Sequence, residues 1–298
     1  MTNIDFTKSE QYTLSIRLSA DGFSFSIHSS QKRDDFFFAS YPVNVSYSMT
    51  ANIKKMIQAT EELKHTYGQV NILIDTQRFT PVPFDIFEDE HTEALFYQNF
   101  QQIDNETVLC NILGKSNIAL LFGMDKHAHQ LICEQFPNAR IFACTSPLSE
   151  YFSQQSKANN HRSLYALFHP NRMEIFAFDK GKLLLINSFN SKQTSDHIYY
   201  LLYVWQQLGY SQEKDSLYLT GETESKDVLL AELKRFLRQV EFLPTHTTLS
   251  FDIQSLITCE YLAEFIKDVD SMCLTHSRHV QPPILPRRTY STSFATTT

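Results

Sequence analysis

The order of short apolar runs, met twice along the chain, constrains the fold more than any single motif. Tyr12, Leu14, Ile16 and Leu18 alternate with Thr13, Ser15 and Arg17, the period of a half-buried strand. Asp21-Gly22 follows, a dipeptide that tolerates the positive φ of a tight hairpin, and Phe23, Phe25 and Ile27 resume the alternation. Asp35–Ser40 supplies a third, Phe-rich run. Helical spacing through Ile53, Ile57, Leu63 and Tyr67 predicts a helix over about 48–67, with Gly68 placed as its C-cap. Val70–Asp75 then reads as a buried strand.

The second half repeats this plan. Leu164–His169, Met173–Asp179 and Lys182–Phe189 predict three strands joined at Pro170-Asn171 and Asp179-Lys180-Gly181. Thr194 or Ser195 opens a helix with Asp196 in its first turn. Its stripe is Ile198, Leu201, Leu202, Trp205 and Leu208, and Gly209 ends it. Strand Ser216–Thr220, helix Lys226–Arg238 with Leu229, Leu233, Phe236 and Leu237 buried, and strand Val240–Leu243 complete the unit.

Between the repeats, a loop with Pro81 and Pro83 leads to an acidic helix over about Glu88–Phe100. Strands Thr107–Leu113 and Asn117–Phe122 flank Gly114-Lys115-Ser116. A helix (Lys126–Gln135), a strand (Arg140–Ala143) and a helix (Pro147–Ser156) follow, and the polar stretch Ser153–Arg162 reads as the linker. A last helix is expected near Ile257–Cys273, and the Pro- then Ser/Thr-rich tail lacks periodicity. The fold class is therefore α/β, a duplication with two mixed five-stranded sheets in β-β-β-α-β-α-β order, hairpin strands antiparallel and crossover strands parallel. The domains fall at residues 1–158 and 159–280, with a disordered tail over 281–298.

Composition narrows the function classes. A net charge of −7 leaves no electrostatic footprint for nucleic acid or anionic lipid. The most apolar stretch, Asn117–Met124, is far below the roughly 20 residues that span a bilayer, so no membrane insertion is expected. Residues 1–10 are polar, unlike a signal peptide. Five scattered cysteines, Cys110, Cys133, Cys144, Cys259 and Cys273, argue for a reducing compartment, with cytoplasm the default.

The duplicated order, carried best by Ser163–Leu243 and by Thr13–Asp75, resembles the actin-like ATPase superfamily of sugar kinases, Hsp70-type chaperones and actin-like pilus proteins. The stretch Phe79-Thr80-Pro81-Val82-Pro83-Phe84-Asp85-Ile86-Phe87 is similar to a bacterial family of unknown function given this fold and sometimes described as pilus-assembly-related. The resemblance implies two RNase H-like domains and, in the superfamily, an Asp-x-Gly turn after the first strand of each domain that wraps phosphates and handles Mg²⁺. The matching turns here are Ser19-Ala20-Asp21-Gly22-Phe23 and His169-Pro170-Asn171-Arg172-Met173. In the first, Asp and Gly are adjacent. The second has neither, and Pro170 removes an amide donor. The adenosine-side loop matches Leu219-Thr220-Gly221-Glu222-Thr223, with one glycine of the usual pair and Glu222 placed to repel phosphate. Asp21, Gly22, His169, Asn171 and Gly221 are thus the candidate nucleotide-binding residues, and no catalytic or metal residue is named.

The chain has seven glycines, about a third of the usual share of ~7%. Gly22, Gly114 and Gly181 are assigned to hairpins, Gly68 and Gly209 to helix ends, and Gly123 and Gly221 to strand ends. None is left to let a backbone approach a triphosphate closely.

Other chemistry is weaker. Gly114-Lys115-Ser116 lacks the glycine that a Walker A loop needs at the position of Leu109. His127 and His129, two apart on a helix, cannot share a metal. Cys259, Cys273, His276 and His279 lack a close zinc-ligand pair. His161, His169, Asp75 and Asp179 sit at strand ends or the linker, where a cleft between domains could gather His169 with Asp21. The run Glu88-Asp89-Glu90 suits a helix N-terminus, and Phe36-Phe37-Phe38 reads as a strand buried on both faces.

The expectation is a non-catalytic actin-like binding or scaffolding protein, a pseudo-ATPase whose partners are proteins and which holds no cofactor. The alternatives are a divergent ATPase or small-molecule kinase using ATP and Mg²⁺, or a binder of another small ligand in the cleft.

Overall fold

The computed structural model describes residues 4–29, 35–159, 161–223 and 225–243. The expected helix over 257–273, the tail from 281 and the Cys259 to His279 pattern lie outside these residues.

Strand β1 (Thr13–Leu18) turns back onto β2 (Phe23–His28) with Leu18 opposite Phe23. Neither Asp21 nor Gly22 takes a positive φ. The four residues 19–22 reverse the chain without it, so the conformational reason read from Asp21-Gly22 does not apply. β3 (Phe36–Tyr41) is the edge of this sheet. Its phenylalanines are half-buried, correcting the expectation of burial on both faces, because an outermost strand has a neighbour on one side only. Phe37 rests against Phe25 and Phe6, with ring centroids 5.8 and 6.5 Å away.

Ser48 caps α1 (Met49–Ala59) by accepting the Ala51 N–H at 3.2 Å. The helix stops there, a 3-10 turn Glu61–Lys64 follows, and Gly68 caps neither. Gly68 instead lets the chain pass the start of β1: its N–H donates to the Tyr12 carbonyl, and a Cβ would lie 2.3 Å from the Glu10 carbonyl oxygen. β4 (Gln69–Ile74) then pairs parallel to β1.

An insertion interrupts the first half. β5 (Phe79–Pro83), α2 (Thr92–Phe96), β6 (Glu106–Leu113) and β7 (Ile118–Asp125) build a separate sheet of order β5-β7-β6. The expected acidic helix shrinks to a 3-10 turn, Asp89–His91, and the five residues of α2. The acidic run is exposed throughout, and helix begins only where Phe96 has a core to enter. Gly114-Lys115-Ser116 is a hairpin turn, its left-handed residue being Asn117 with φ 53°. The Asp125 carboxylate caps α3 (Lys126–Gln135) by accepting the Ala128 N–H at 2.7 Å. β8 (Ala139–Ala143) closes the first sheet in the order β3-β2-β1-β4-β8.

Most of the stretch expected as linker, residues 153–159, is the second half of a helix, α4 (Thr145–Asn159), which the helix expected over Pro147–Ser156 anticipates in part. Its serines are buried against the other half of the molecule. The Ser153 hydroxyl donates to the Gly181 carbonyl at 2.7 Å, and the Ser156 hydroxyl accepts the Gly181 N–H at 3.3 Å. Phe152 stacks on Tyr165 at 4.3 Å and meets Phe176 edge-on at 5.2 Å.

β9 (Arg162–His169), β10 (Arg172–Asp179), β11 (Lys182–Asn190), α5 (Thr194–Gln207), β12 (Ser216–Gly221), α6 (Lys226–Leu233) and β13 (Gln239–Phe242) form the second half. Its sheet, β11-β10-β9-β12-β13, has the strand order and directions of the first. Gln193, rather than Thr194 or Ser195, is the N-cap of α5, and its N–H donates to the Asp196 carboxylate at 3.2 Å. α6 ends at Leu233, so Phe236 is exposed instead of buried. Leu201, Trp205 and Leu229 from α5 and α6 pack on one face of this sheet. Tyr165, Phe176 and Phe178 on the opposite face join Phe152 and the core of the first half in one apolar cluster.

Candidate functional site

The register places the C-terminal ends of the central strands of both sheets in equivalent geometry. Leu18 of β1 pairs with Ile74 of β4, and the Asp75 N–H donates to the Leu18 carbonyl at 3.0 Å. Phe168 of β9 pairs with Gly221 of β12, and the Glu222 N–H donates to the Phe168 carbonyl at 3.3 Å. Asp75 and Glu222 are therefore matching residues of the two halves.

Strand alternation aims one set of side chains from each half at the other. In the first half these are Arg17 on β1 and Asp75 just past the end of β4. On β9 and β10 they are His169 and Glu174, with Arg172 at the start of β10. The Asp75 side chain is 1% exposed. Its Oδ2 accepts from Arg17 Nη2 at 2.7 Å and from the Ser19 hydroxyl at 2.7 Å, and its Oδ1 accepts from Arg172 Nη2. Three of a carboxylate's roughly four lone-pair positions are thus taken. Arg172 Nε also lies 3.4 Å from Glu174 Oε1, and His169 Nε2 lies 3.6 Å from the same oxygen. Asp21 flanks the cluster, with its Oδ1 3.6 Å from Arg17 Nη1.

The groups neutralise one another. Burial pulls the Glu174 carboxyl upward, but His169 and then Arg172 overcome it and hold the group below its ordinary range. Burial likewise opposes ionisation of Asp21, and the Ser19 hydroxyl, Arg17 and, more weakly, His169 hold it below the usual value. Three carboxylates, two guanidiniums and an imidazole face one another, with His169 Nε2 and Glu174 Oε2 buried and without a hydrogen-bond partner among the described residues, an arrangement that loses stability when a charged member loses its counter-charge.

Of the five residues singled out from sequence, this cluster contains two, Asp21 and His169. Gly22 is in the turn beside Asp21, with no positive φ. Asn171 is exposed in the two-residue turn between β9 and β10, and its carbonyl accepts the Ser191 N–H at 3.2 Å. Gly221 takes φ +92°, and a Cβ there would lie 2.3 Å from the Phe168 carbonyl oxygen. Its freedom serves the β9–β12 junction itself. Asp75, expected only as a strand-end residue, is central. His161 and Asp179 are elsewhere: the His161 ring nitrogens bond the Asn159 carbonyl at 2.7 Å and the Ser216 hydroxyl at 2.8 Å, and Asp179 pairs with Arg162 at 3.3 Å. Arg17, Arg172 and Glu174 were not singled out, and only the alternation of β1 and β10 carried a signal for them. No group of three or more His, Cys, Asp and Glu among the described residues is arranged to hold a metal ion.

The profile of a family described as protein of unknown function, DUF3822, matches residues 1–240. The chain belongs to the DUF3822 family. A Bacteroides thetaiotaomicron protein with actin-like ATPase fold and unknown function is 46% identical to this DUF3822 chain, covering 86% of it and 99% of its own length, with a TM-score of 0.80. A structure of the PilM-PilN type IV pilus biogenesis complex aligns at a TM-score of 0.51 and 11% identity, over 78% of the DUF3822 chain and 88% of its own, a likeness of fold alone. No curated protein matches the DUF3822 chain significantly. The duplicated actin-like fold is thus that of the family, and no helix among the described residues is long and apolar enough to cross a membrane.

Proposed function

We propose that this chain is a non-catalytic actin-like module that binds or scaffolds other proteins. The observation that carries the reading is Asp75, held by Arg17 from its own half and Arg172 from the other where the first hairpin turns of both sheets converge. A nucleotide's phosphates would need those guanidiniums freed and backbone amides presented. Pro170 has no amide to give, and Glu222 adds a negative charge at the matching strand end. A Mg²⁺ ion would need carboxylate oxygens, and those of Asp75 are already engaged. On this reading no ATP or Mg²⁺ is retained, and Asp21, Gly22, His169, Asn171 and Gly221 are relics of the layout.

Protein partners are the class of ligand this reading favours. One solved structure of this fold is the complex of PilM with PilN, so the fold is compatible with a protein-bound role. The odd number and wide scatter of the five cysteines support a reducing, cytoplasmic setting.

Thermal melting with and without saturating Mg-ATP tests the reading. Binding at a hundredfold excess over Kd adds roughly 2.7 kcal/mol, a rise of several degrees. The expected result is an unchanged Tm. A rise that Asp21→Ala abolishes overturns the proposal in favour of a divergent ATPase or kinase.

A further inference from the structure

The charge of this chain is concentrated in one place. Residues 79–114 contain Asp85, the Glu88-Asp89-Glu90 run, Glu93, Asp104 and Glu106, and not one lysine or arginine. The whole chain has 33 acidic and 26 basic residues, so removing those seven leaves 26 of each sign. The insertion alone accounts for the net charge of −7. Among the described residues, only its Glu106 is paired to a guanidinium, with Arg78 Nε at 2.6 Å and Nη2 at 2.7 Å.

The same insertion walls a cleft of about 490 Å³ that runs between α2, the loop 101–105 and α3. That volume is in the range of ligand sites. The insertion side presents the exposed carboxylates Glu93 and Asp104 and the half-exposed Ile103, 49% accessible, beside Tyr97. The α3 side presents Lys126 and His127.

We propose that this cleft docks a lysine- or arginine-bearing extended segment of a partner protein. Long basic side chains lay an apolar stem on a surface such as Ile103 and Tyr97 while the charged head reaches carboxylates, here Glu93 and Asp104. Lys126 opposes a cation on the α3 side, which directs the basic side chains to the insertion wall. The remaining carboxylates of the insertion draw the segment in from a distance. Because the cleft is separate from the Asp75 cluster, the inference holds whether or not a nucleotide binds there.

The test is fluorescence anisotropy of a labelled Lys-Ile-Lys-Val-Lys-Ile peptide with the full chain at low salt. Saturable binding is expected, weakened at least roughly tenfold by Glu93→Lys with Asp104→Lys, and severalfold by Ile103→Ser. Glu213→Lys with Glu241→Lys, the same charge change on exposed residues of the second half, is expected to alter it less than about twofold. No saturable binding overturns the proposal. An equal loss in the remote variant overturns it too, since net charge alone then attracts the peptide, and so does an unaffected Ile103→Ser.

Discussion

Arg172 donates to the carboxylate of Asp75 across 97 residues of sequence, joining the first strand pair of one half to the second half's hairpin. With Arg17 and Ser19 on the other oxygen, Asp75 is the pivot of the contact between the halves.

Removing that pivot is predicted to be costly. Asp75→Ala leaves Arg17 and Arg172 only their longer contacts to Asp21 and Glu174, a loss of about 3 kcal/mol, the low end for a broken buried pair. Replacing Asp75, Arg17 and Arg172 together by Leu, Met and Met recovers only part of it, because both guanidiniums leave with their shared anion but buried Glu174 is left with His169 alone. Urea denaturation of the single and triple variants measures both. An Asp75→Ala protein as stable as the wild type would show that the cluster does not hold the halves.

Two buried glutamates give opposite pH dependences. Glu150 of α4 is 1% exposed, and burial raises its carboxyl from 4.5 to about 7, against the smaller opposing influence of Lys115 and the Ser116 amide. Its proton is bound more tightly in the folded state, so its contribution is full below about 4.5 and is lost as pH rises through about 7. Glu150→Gln is therefore expected to be more stable than the wild type at pH ~8, by about 2–3 kcal/mol. Glu174, held below 4.5, contributes above that value and loses its contribution as pH falls below it. Glu174→Gln should flatten only this acid limb of a Tm–pH profile.

Glycine substitutions separate conformation from crowding. At Gly209, φ is +63° with nothing near a new Cβ, and alanine should cost about 1 kcal/mol. At Gly221, φ is +92° and the Cβ would meet the Phe168 carbonyl oxygen at 2.3 Å and amide nitrogen at 2.8 Å. Both atoms are backbone, so Gly221→Ala should cost more than about 2 kcal/mol. Equal melting temperatures for the two would contradict this.

Phe152→Ala should cost about 3–5 kcal/mol, since Phe152 is fully buried between Tyr165 and Phe176. Unfolding should remain one transition in the wild type and split in the variant, as the shared core loses its centre. A single unchanged transition in Phe152→Ala would mean that the halves are coupled elsewhere.

The hairpins and crossovers were legible because alternation and helical stripes are local signals. Leu14, Ile16 and Leu18 announce β1 whatever they later touch. Three misreadings share a cause in what the neighbours do. The helix expected to end at Ser156 runs on to Asn159, and the linker reading of Ser153–Arg162 missed the Gly181 backbone set against Ser153 and Ser156. Gly68 looks like a cap, but its constraint is the Glu10 carbonyl, which belongs to a segment 58 residues earlier. Phe36–Phe38 have the composition of a central strand, yet topology sets them at an edge. The site was half legible for the same reason. Asp21 and His169 were found by aligning turns, whereas Arg17 and Arg172 acquire meaning only once two separate sheets bring them to one carboxylate.

Proteins that work by rocking two lobes need a seam along which those lobes can slide. In this chain, α4 fills that seam. Its hydroxyl-lined face is bonded to the Gly181 backbone, and Phe152 is wedged among the second half's rings. Any swing of one half would have to break both Gly181 bonds and the Arg172–Asp75 bond and open a void at once. These contacts hold the two halves in one arrangement, so on the proposed reading a docking partner would meet a fixed template rather than a moving jaw.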